Sequence, residues 1–324
     1  MTVTVTGAAG QIGYTLLFRV AAGLMFGADT PVNLRLLEIP SAMRATEGVV
    51  MELEDCGFPL LRDIDITSDP VRAFEGANAG VLIGAKPRTV GMERADLLAA
   101  NASIFAVHGR AISEAAADDV RVVVVGNPVN ANALVLAHHA PDLPKQQITA
   151  VSRLDHNRAV FQLARRAGVP TSEVSRLAIW GNHSSTMYPD ITHAVVGGRS
   201  GAEYAADTMW LEMEFIPSVA NRGSAIIEVR GQSSQGSAAF ATKEHMYDWF
   251  CGTRPGDWTS AGVWSSGEYG IPDGLVCSMP VTSDGSGWTV VEGLNIDPLS
   301  RRYIDTSIAD LLEEREMVKA MGLI

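Results

Sequence analysis

The chain has 324 residues, 47% of them hydrophobic and 19% charged, a balance that fits one large core or two ordinary ones and excludes a disordered chain. With 37 acidic against 25 basic residues, its formal charge is −12 at neutral pH. That argues against sequence-independent binding to nucleic acid or to an anionic membrane surface, both of which need clustered Lys and Arg, so small molecules or a second copy of the chain are the expected partners.

The amino terminus, MTVTVTGAAG, lacks the basic start, apolar stretch and cleavage signal of a secretory peptide. Nowhere do about 18 apolar residues follow one another, and a cytoplasmic protein is expected. Strand TVTVT (2–6) runs directly into GAAGQIG, which places Gly7, Ala8, Ala9, Gly10, Gln11, Ile12 and Gly13 at a strand-to-helix turn. Such a turn can hold a dinucleotide pyrophosphate. Small residues let the backbone approach the phosphates, and the N-terminus of the following helix, about Gln11 to Met25, favours negative charge. The spacing is GxxGxxG, and a purely structural glycine turn is the alternative.

Further β-branched runs follow at VNLRLLE (32–38), IDIT (64–67), AGVLIG (79–84), RVVVVG (121–126) and QITAV (147–151). Alternation with helical segments predicts βαβ units, and runs that are apolar on successive residues suit strands covered on both faces. The expected class is α/β: a doubly wound parallel sheet over residues 1–151, then a mixed α/β second domain over 152–324. The second strand ends at Glu38, whose carboxylate can accept hydrogen bonds from both adenosine ribose hydroxyls and repel a 2′-phosphate, which favours NAD over NADP.

Short-chain dehydrogenases and sugar-nucleotide epimerases share such a glycine-rich start. They need a Tyr with a Lys four residues on, and the six tyrosines here are followed at that position by Phe18, Thr192, Thr208, Cys251, Asp273 and Ser307. That reading loses its catalytic apparatus.

After the fourth strand, GAKPRTVGMERADLLAAN (84–101) carries Lys86, Arg88 and Arg94 beside Pro87 and Gly91. In so acidic a chain this loop is a candidate anion clamp and lid at the ligand crevice. Downstream, SRLDHNRA (152–159) opens a helix with Asp155 and Arg158 on neighbouring parts of one face, and GNHS (181–184) puts His183 in a turn. A histidine supported by a carboxylate is a suitable proton acceptor near neutral pH, and an arginine can grip a carboxylate through two parallel bonds.

Beyond residue 152, longer helical stretches appear at 154–168 and 237–250, and the C-terminal SRRYIDTSIADLLEEREMVKAMGLI reads as an amphipathic helix entered from a Thr or Asp cap. The three cysteines, Cys56, Cys251 and Cys277, are too few and scattered for a disulfide framework or a zinc site. Buried thiols acting as small hydrophobes are expected instead.

The motifs GAAGQIG, LLEIP, VVMELEDC, GAKPRTVGMERADLL, VGNPVNANAL, SRLDHNRA, WGNHS and VEGL, in this order over essentially the whole chain, together resemble malate dehydrogenases of the cytosolic type. The resemblance implies a Rossmann-like NAD domain, a catalytic domain, a homodimer and interconversion of (S)-malate and oxaloacetate, a step of the tricarboxylic acid cycle. It implies that His183 takes the hydroxyl proton, Asp155 stabilises the imidazolium, Arg158 holds the near carboxylate, Arg94 polarises the carbonyl and Asn127 bonds the substrate oxygen. It also implies that Arg88 pairs with the distal carboxylate and that Asn101, Val125, Gly126 and Asn127 lie against the cofactor. Family members often carry Gln where His108 stands, which puts a cofactor contact there in question. Lactate or another 2-hydroxy acid as substrate, and a non-catalytic NAD-binding sensor, are the competing readings.

Overall fold

A computed structural model of the chain describes residues 1–86 and 94–324. The first half begins β1 (Thr2–Thr6), α1 (Gln11–Ala21), β2 (Val32–Leu37), α2 (Met43–Asp55), β3 (Leu61–Thr67), α3 (Pro70–Phe74), β4 (Ala79–Leu82). It continues α4 (Arg94–Ala115), β5 (Arg121–Val124), α5 (Val129–His139), β6 (Ile148–Ala150). All six expected strands are present, paired in parallel in the order β3-β2-β1-β4-β5-β6. The winding reverses between β1 and β4, where the strand ends open a ligand crevice in folds of this type. Val122, Val123 and Val124 of β5 and all of β4 are buried, as strands covered by helices on both faces must be.

Helix α1 stops four residues short of the expected Met25. Gly23 adopts a left-handed conformation (φ 78°), its N–H bonding Val20 O while the Leu24 N–H bonds Arg19 O, both at 3.0 Å. This double cap ends the helix although the apolar run continues, and Met25 and Phe26 enter the core from irregular backbone.

The second half runs α6 (Arg153–Ala167), β7 (Val174–Ser175), β8 (Ala178–Trp180), β9 (Tyr188–Asp190), β10 (Val195–Val196), β11 (Arg199–Ser200), α7 (Gly201–Ala205), α8 (Thr208–Trp210). Then follow α9 (Ile216–Ala220), α10 (Arg222–Arg230), α11 (Gly236–Cys251), β12 (Thr259–Trp264), β13 (Val276–Ser283), β14 (Trp288–Val290) and α12 (Pro298–Ala320). Asp297 caps α12, accepting from the Leu299 and Ser300 N–H groups at 2.8 and 3.0 Å.

The antiparallel strands expected of the second half do occur, but β12, β13 and β14 join the first sheet and extend it to nine strands. The junction is Gly262 of β12 opposite Ala150 of β6, where a Cβ on Gly262 would stand 2.8 Å from the Ala150 Cβ. Arg121 ties the halves further, donating to Trp249 O, Gly285 O and Ser286 O at 2.7–2.9 Å while lying over the Phe250 ring. One apolar core surrounds the parallel strands and takes in Met246, Trp249, Val276 and Val318 from the second half. The other packs α6, β8, β12, β13 and α12 together.

The cysteines depart from expectation. Only Cys277 is buried, which pushes its thiol up to about 12, whereas Cys56 and Cys251 are exposed.

Candidate active site

Three loops meet at the carboxyl end of the parallel strands, and small residues make the meeting possible. Gly7 (φ 68°) follows β1; a Cβ there would lie 2.8 Å from Gly84 N and Cα, beyond β4. A Cβ on Gly13 would collide with Gly7 O, so α1 can approach the turn only with glycine there. Gly126, beyond β5, is equally tight, since its Cβ would stand 2.7 Å from Ala85 Cβ. The α1 N-cap is Gly10, and no side chain caps the helix, which leaves its first N–H groups facing the crevice edge. Ala8 is buried; Gln11 is exposed and Ile12 half-buried at the mouth of the helix.

Glu38 stands beside this turn. Its Oε1 accepts the Ala9 N–H at 2.9 Å and its Oε2 the Ile39 N–H at 3.1 Å. A carboxylate oxygen can accept more than one bond, so the group remains able to receive ribose hydroxyls. The cradle closed to any Cβ, together with a fixed carboxylate at its side, fits the pyrophosphate and ribose of a dinucleotide such as NAD.

Asn101 is fully buried on α4, and among the described residues its amide bonds backbone: Nδ2 donates to Lys86 O (3.1 Å) and Asn127 O (2.9 Å), and Oδ1 accepts the Lys86 N–H (2.7 Å). It holds the loops after β4 and β5 in register. Val125 is buried, and Asn127, in the loop after β5, is exposed. His108, one layer away on α4, packs edge-on between Phe74 and Phe105, and burial lowers its pKa to about 4. Arg88 lies outside the described residues, and of Arg94 only its place at the start of α4 is described.

On the other side of the crevice, α6 carries Asp155 and Arg158, and the loop between β8 and β9 carries His183. Asp155, buried, bonds His183 Nδ1 through Oδ2 and accepts from Arg158 Nη1 through Oδ1 at 3.2 Å. An ionised carboxylate can only accept, so Nδ1 carries the proton and neutral His183 presents the Nε2 lone pair. Burial works to lower the His183 pKa, but the Asp155 charge and hydrogen bond outweigh it, helped by Glu314 and opposed by Arg158, and the net shift is upward. Arg158 Nη2 also donates to Ser234 Oγ at 3.0 Å, which leaves part of its fork for a ligand.

The expected trio of Asp155, Arg158 and His183 is thus assembled. The loop of His183 is held by residues that sequence reasoning missed. The Asn182 N–H donates to Ser307 Oγ (2.8 Å), and Asp310 Oδ2 accepts from Asn182 Nδ2, Ser184 Oγ and Thr186 Oγ1 (2.7–3.1 Å). Gly181 (φ 92°) passes so close to Ser307 that any Cβ would collide with its Oγ. The His183 N–H donates to Asn130 Oδ1 at 2.9 Å. Two asparagines inside the otherwise apolar run VNANALVLA were the available signal, because buried amides occur where they find partners.

Comparison with known proteins agrees with this arrangement. Residues 1–149 match the lactate/malate dehydrogenase NAD binding domain, and residues 152–321 the lactate/malate dehydrogenase alpha/beta C-terminal domain. Malate dehydrogenases of Rhodococcus opacus and Rhodococcus jostii are 61% and 60% identical over 322 residues, 99% of this chain and 97% of each relative. The crystal structure of malate dehydrogenase from Naegleria fowleri superposes with a TM-score of 0.97 at 48% identity, covering 100% of this chain and 98% of that one. Trichomonas vaginalis lactate dehydrogenase in complex with NADH and oxamate gives 0.94 at 35% identity, covering 100% and 99%. The chain belongs to the lactate/malate dehydrogenase family.

Proposed function

We propose that this chain is an NAD-dependent malate dehydrogenase that interconverts (S)-malate and oxaloacetate. The observation that carries the chemistry is His183 paired through Nδ1 to buried Asp155, with Arg158 on the same carboxylate. Bound NAD supplies the carbon that exchanges a hydride with C2 of the substrate. His183 takes the hydroxyl proton at Nε2, and Asp155 stabilises the resulting imidazolium. Arg158 holds the carboxylate next to the reacting carbon, and the Asn127 amide bonds the substrate oxygen. From the loop, Arg94 polarises the carbonyl and Arg88 pairs with the distal carboxylate. On the cofactor side, the 7–13 turn, Glu38, Asn101 and the 125–127 backbone form the site, and His108 stands behind it. The unit that binds NAD spans 1–151, and the catalytic one spans 152–324.

Two observations favour malate over lactate: the higher identity to malate dehydrogenases, and Arg88 in the loop sequence. A monocarboxylate would leave that arginine desolvated and unpaired, a penalty of roughly 2–5 kcal/mol, or at least about 30-fold in rate. The test crosses oxaloacetate and pyruvate with NADH and NADPH in a spectrophotometric assay. Oxaloacetate with NADH is expected to be fastest, and Arg88→Gln to lower oxaloacetate turnover far more than pyruvate turnover. Equal rates on the two acids would sink the malate reading.

The working unit we propose is a cytoplasmic homodimer acting in the tricarboxylic acid cycle, without nucleic-acid or membrane partners. Among the described residues no helix is long and apolar enough to cross a membrane. Support for the dimer comes from a cavity of about 610 Å³ on α6, α10 and α11, walled in part by Phe161, Ile226 and Phe240.

A further inference from the structure

We infer that Asn130 is a positioning residue that sets the catalytic histidine against the cofactor-side loop. Asn130 is the second residue of α5 and is almost wholly buried, at 2% exposure. Its amide is used in two directions. Oδ1 accepts the His183 backbone N–H at 2.9 Å, and Nδ2 donates to Val276 O on β13 at 2.9 Å. Both partners belong to the second half of the chain, while Asn130 itself stands three residues beyond Asn127 at the entry to α5. The first bond therefore joins the entry to α5, three residues beyond Asn127, to the loop that carries His183, and the second anchors the same amide on β13.

The consequence concerns distance. The substrate oxygen must be reached at once by His183 Nε2 and by the Asn127 amide, from opposite sides of the crevice. Asp155 fixes the imidazole ring through Nδ1, and the start of the 181–186 loop is pinned to β13 by the Gly181–Ser278 backbone pair at 2.8 and 3.1 Å, but neither contact holds the backbone of His183 itself. Ser307 and Asp310 hold that loop from the α12 side through Asn182, Ser184 and Thr186. Asn130 restrains the backbone of the histidine itself from the side of α5, the side on which Asn127 lies. Displacements of about 1 Å in such a geometry can cost roughly 100-fold in rate.

The inference rests on His183 being the proton acceptor, and its test separates the two. Asn130→Leu keeps the side chain's branching at Cγ, at a somewhat larger volume, and removes both bonds. For this variant kcat with oxaloacetate falls roughly 10- to 100-fold, NADH affinity stays unchanged, and the His183 amide exchanges its proton with solvent at least about tenfold faster. Asn130→Asp keeps the shape and the accepting oxygen. While its carboxyl is neutral it can still donate to Val276 O, so in malate oxidation, where the natural enzyme gains activity as pH rises, this variant instead loses activity as the buried carboxyl ionises against that carbonyl.

A folded Asn130→Leu enzyme with natural kcat overturns the inference. So does a loss of kcat matched by an equal loss of NADH affinity, which marks a general failure of the α5 turn. If the leucine variant does not fold, the aspartate variant decides, and a pH profile of the natural shape overturns the role. An active His183→Asn enzyme would instead remove the proton-acceptor reading while leaving the amide-exchange result standing.

Discussion

The Asp155 carboxylate faces a histidine and an arginine at once, and the division of its two oxygens decides how His183 titrates. Burial disfavours the imidazolium, as it does at His156 and His245, each fully desolvated, bonded to a hydroxyl of Ser260 or Thr149 and pushed down to about 3. Those two stay neutral throughout the physiological range and cannot relay protons there. His183 alone of the three has a carboxylate on its ring, and its pKa rises above the ordinary 6.5. The sign follows for each direction of the reaction. With His183 as the proposed proton acceptor, malate oxidation needs it neutral, so its kcat/KM falls as pH drops through the raised pKa; oxaloacetate reduction needs the imidazolium and falls as pH climbs through it. His183→Asn, which can neither accept nor donate this proton, should lower turnover both ways by roughly 100- to 10,000-fold with NADH binding retained. Profiles of the two directions that move together with pH would refute the assignment.

At the scale of elements, the meeting of β1, β4 and α1 depends on backbone reaching where no side chain fits. Gly13→Ala would drive a Cβ into Gly7 O and to 2.9 Å from Ala8 Cα, both of them backbone that cannot rotate away. Relieving it means pushing α1 off the turn at a cost of roughly 1–3 kcal/mol, with a lowered Tm. Because the displaced N–H groups are those facing the pyrophosphate, NADH affinity should drop roughly 5- to 100-fold, which fluorescence titration reads directly. Natural affinity in this variant would show that the close approach is not needed. The glycines and their strand were legible in sequence because turn chemistry is local, and so were Asp155 and Arg158, whose helical spacing puts them on one face. The end of α1 was not, since LMF continues the apolar run and only the Gly23 cap stops the helix. Nor was the docking of β12 on β6 through Gly262 and Ala150, a pairing between residues more than a hundred positions apart. Asn130 escaped for a related reason: its key partner is a backbone N–H, which leaves no mark in the sequence. The residues that the fold brings to the crevice could be picked out by type, whereas the partners that hold them there could not.

For the molecule as a whole, the helix that carries Asp155 and Arg158 also carries Phe161, which is 51% exposed, close to Phe240 of α11 at 44%. Ile227 of α10 adds another exposed apolar side chain to the neighbouring helix. Singly, exposed hydrophobes need no explanation; Phe161 and Phe240, gathered with Ile226 around one cavity whose wall also holds Arg153, Asn157, Glu244 and Arg222, have the composition of an interface core with a polar edge. A second copy could cover this face by a two-fold axis, the commonest arrangement of like chains, and a stable contact of that kind buries about 800 Å² on each partner. Phe161 lies two turns from Asp155 along α6, so the interface would brace the catalytic helix from outside. Sedimentation equilibrium should find a dimer for the natural chain and a monomer for the double variant Phe161→Asp, Phe240→Asp, because two buried carboxylates facing their symmetry mates would be both desolvated and repelled. The monomer should retain the fold by circular dichroism yet turn over more slowly, with α6 less restrained. A natural chain that sediments as a monomer at micromolar concentration would remove the dimer, and a double variant that remains dimeric would move the interface to another face.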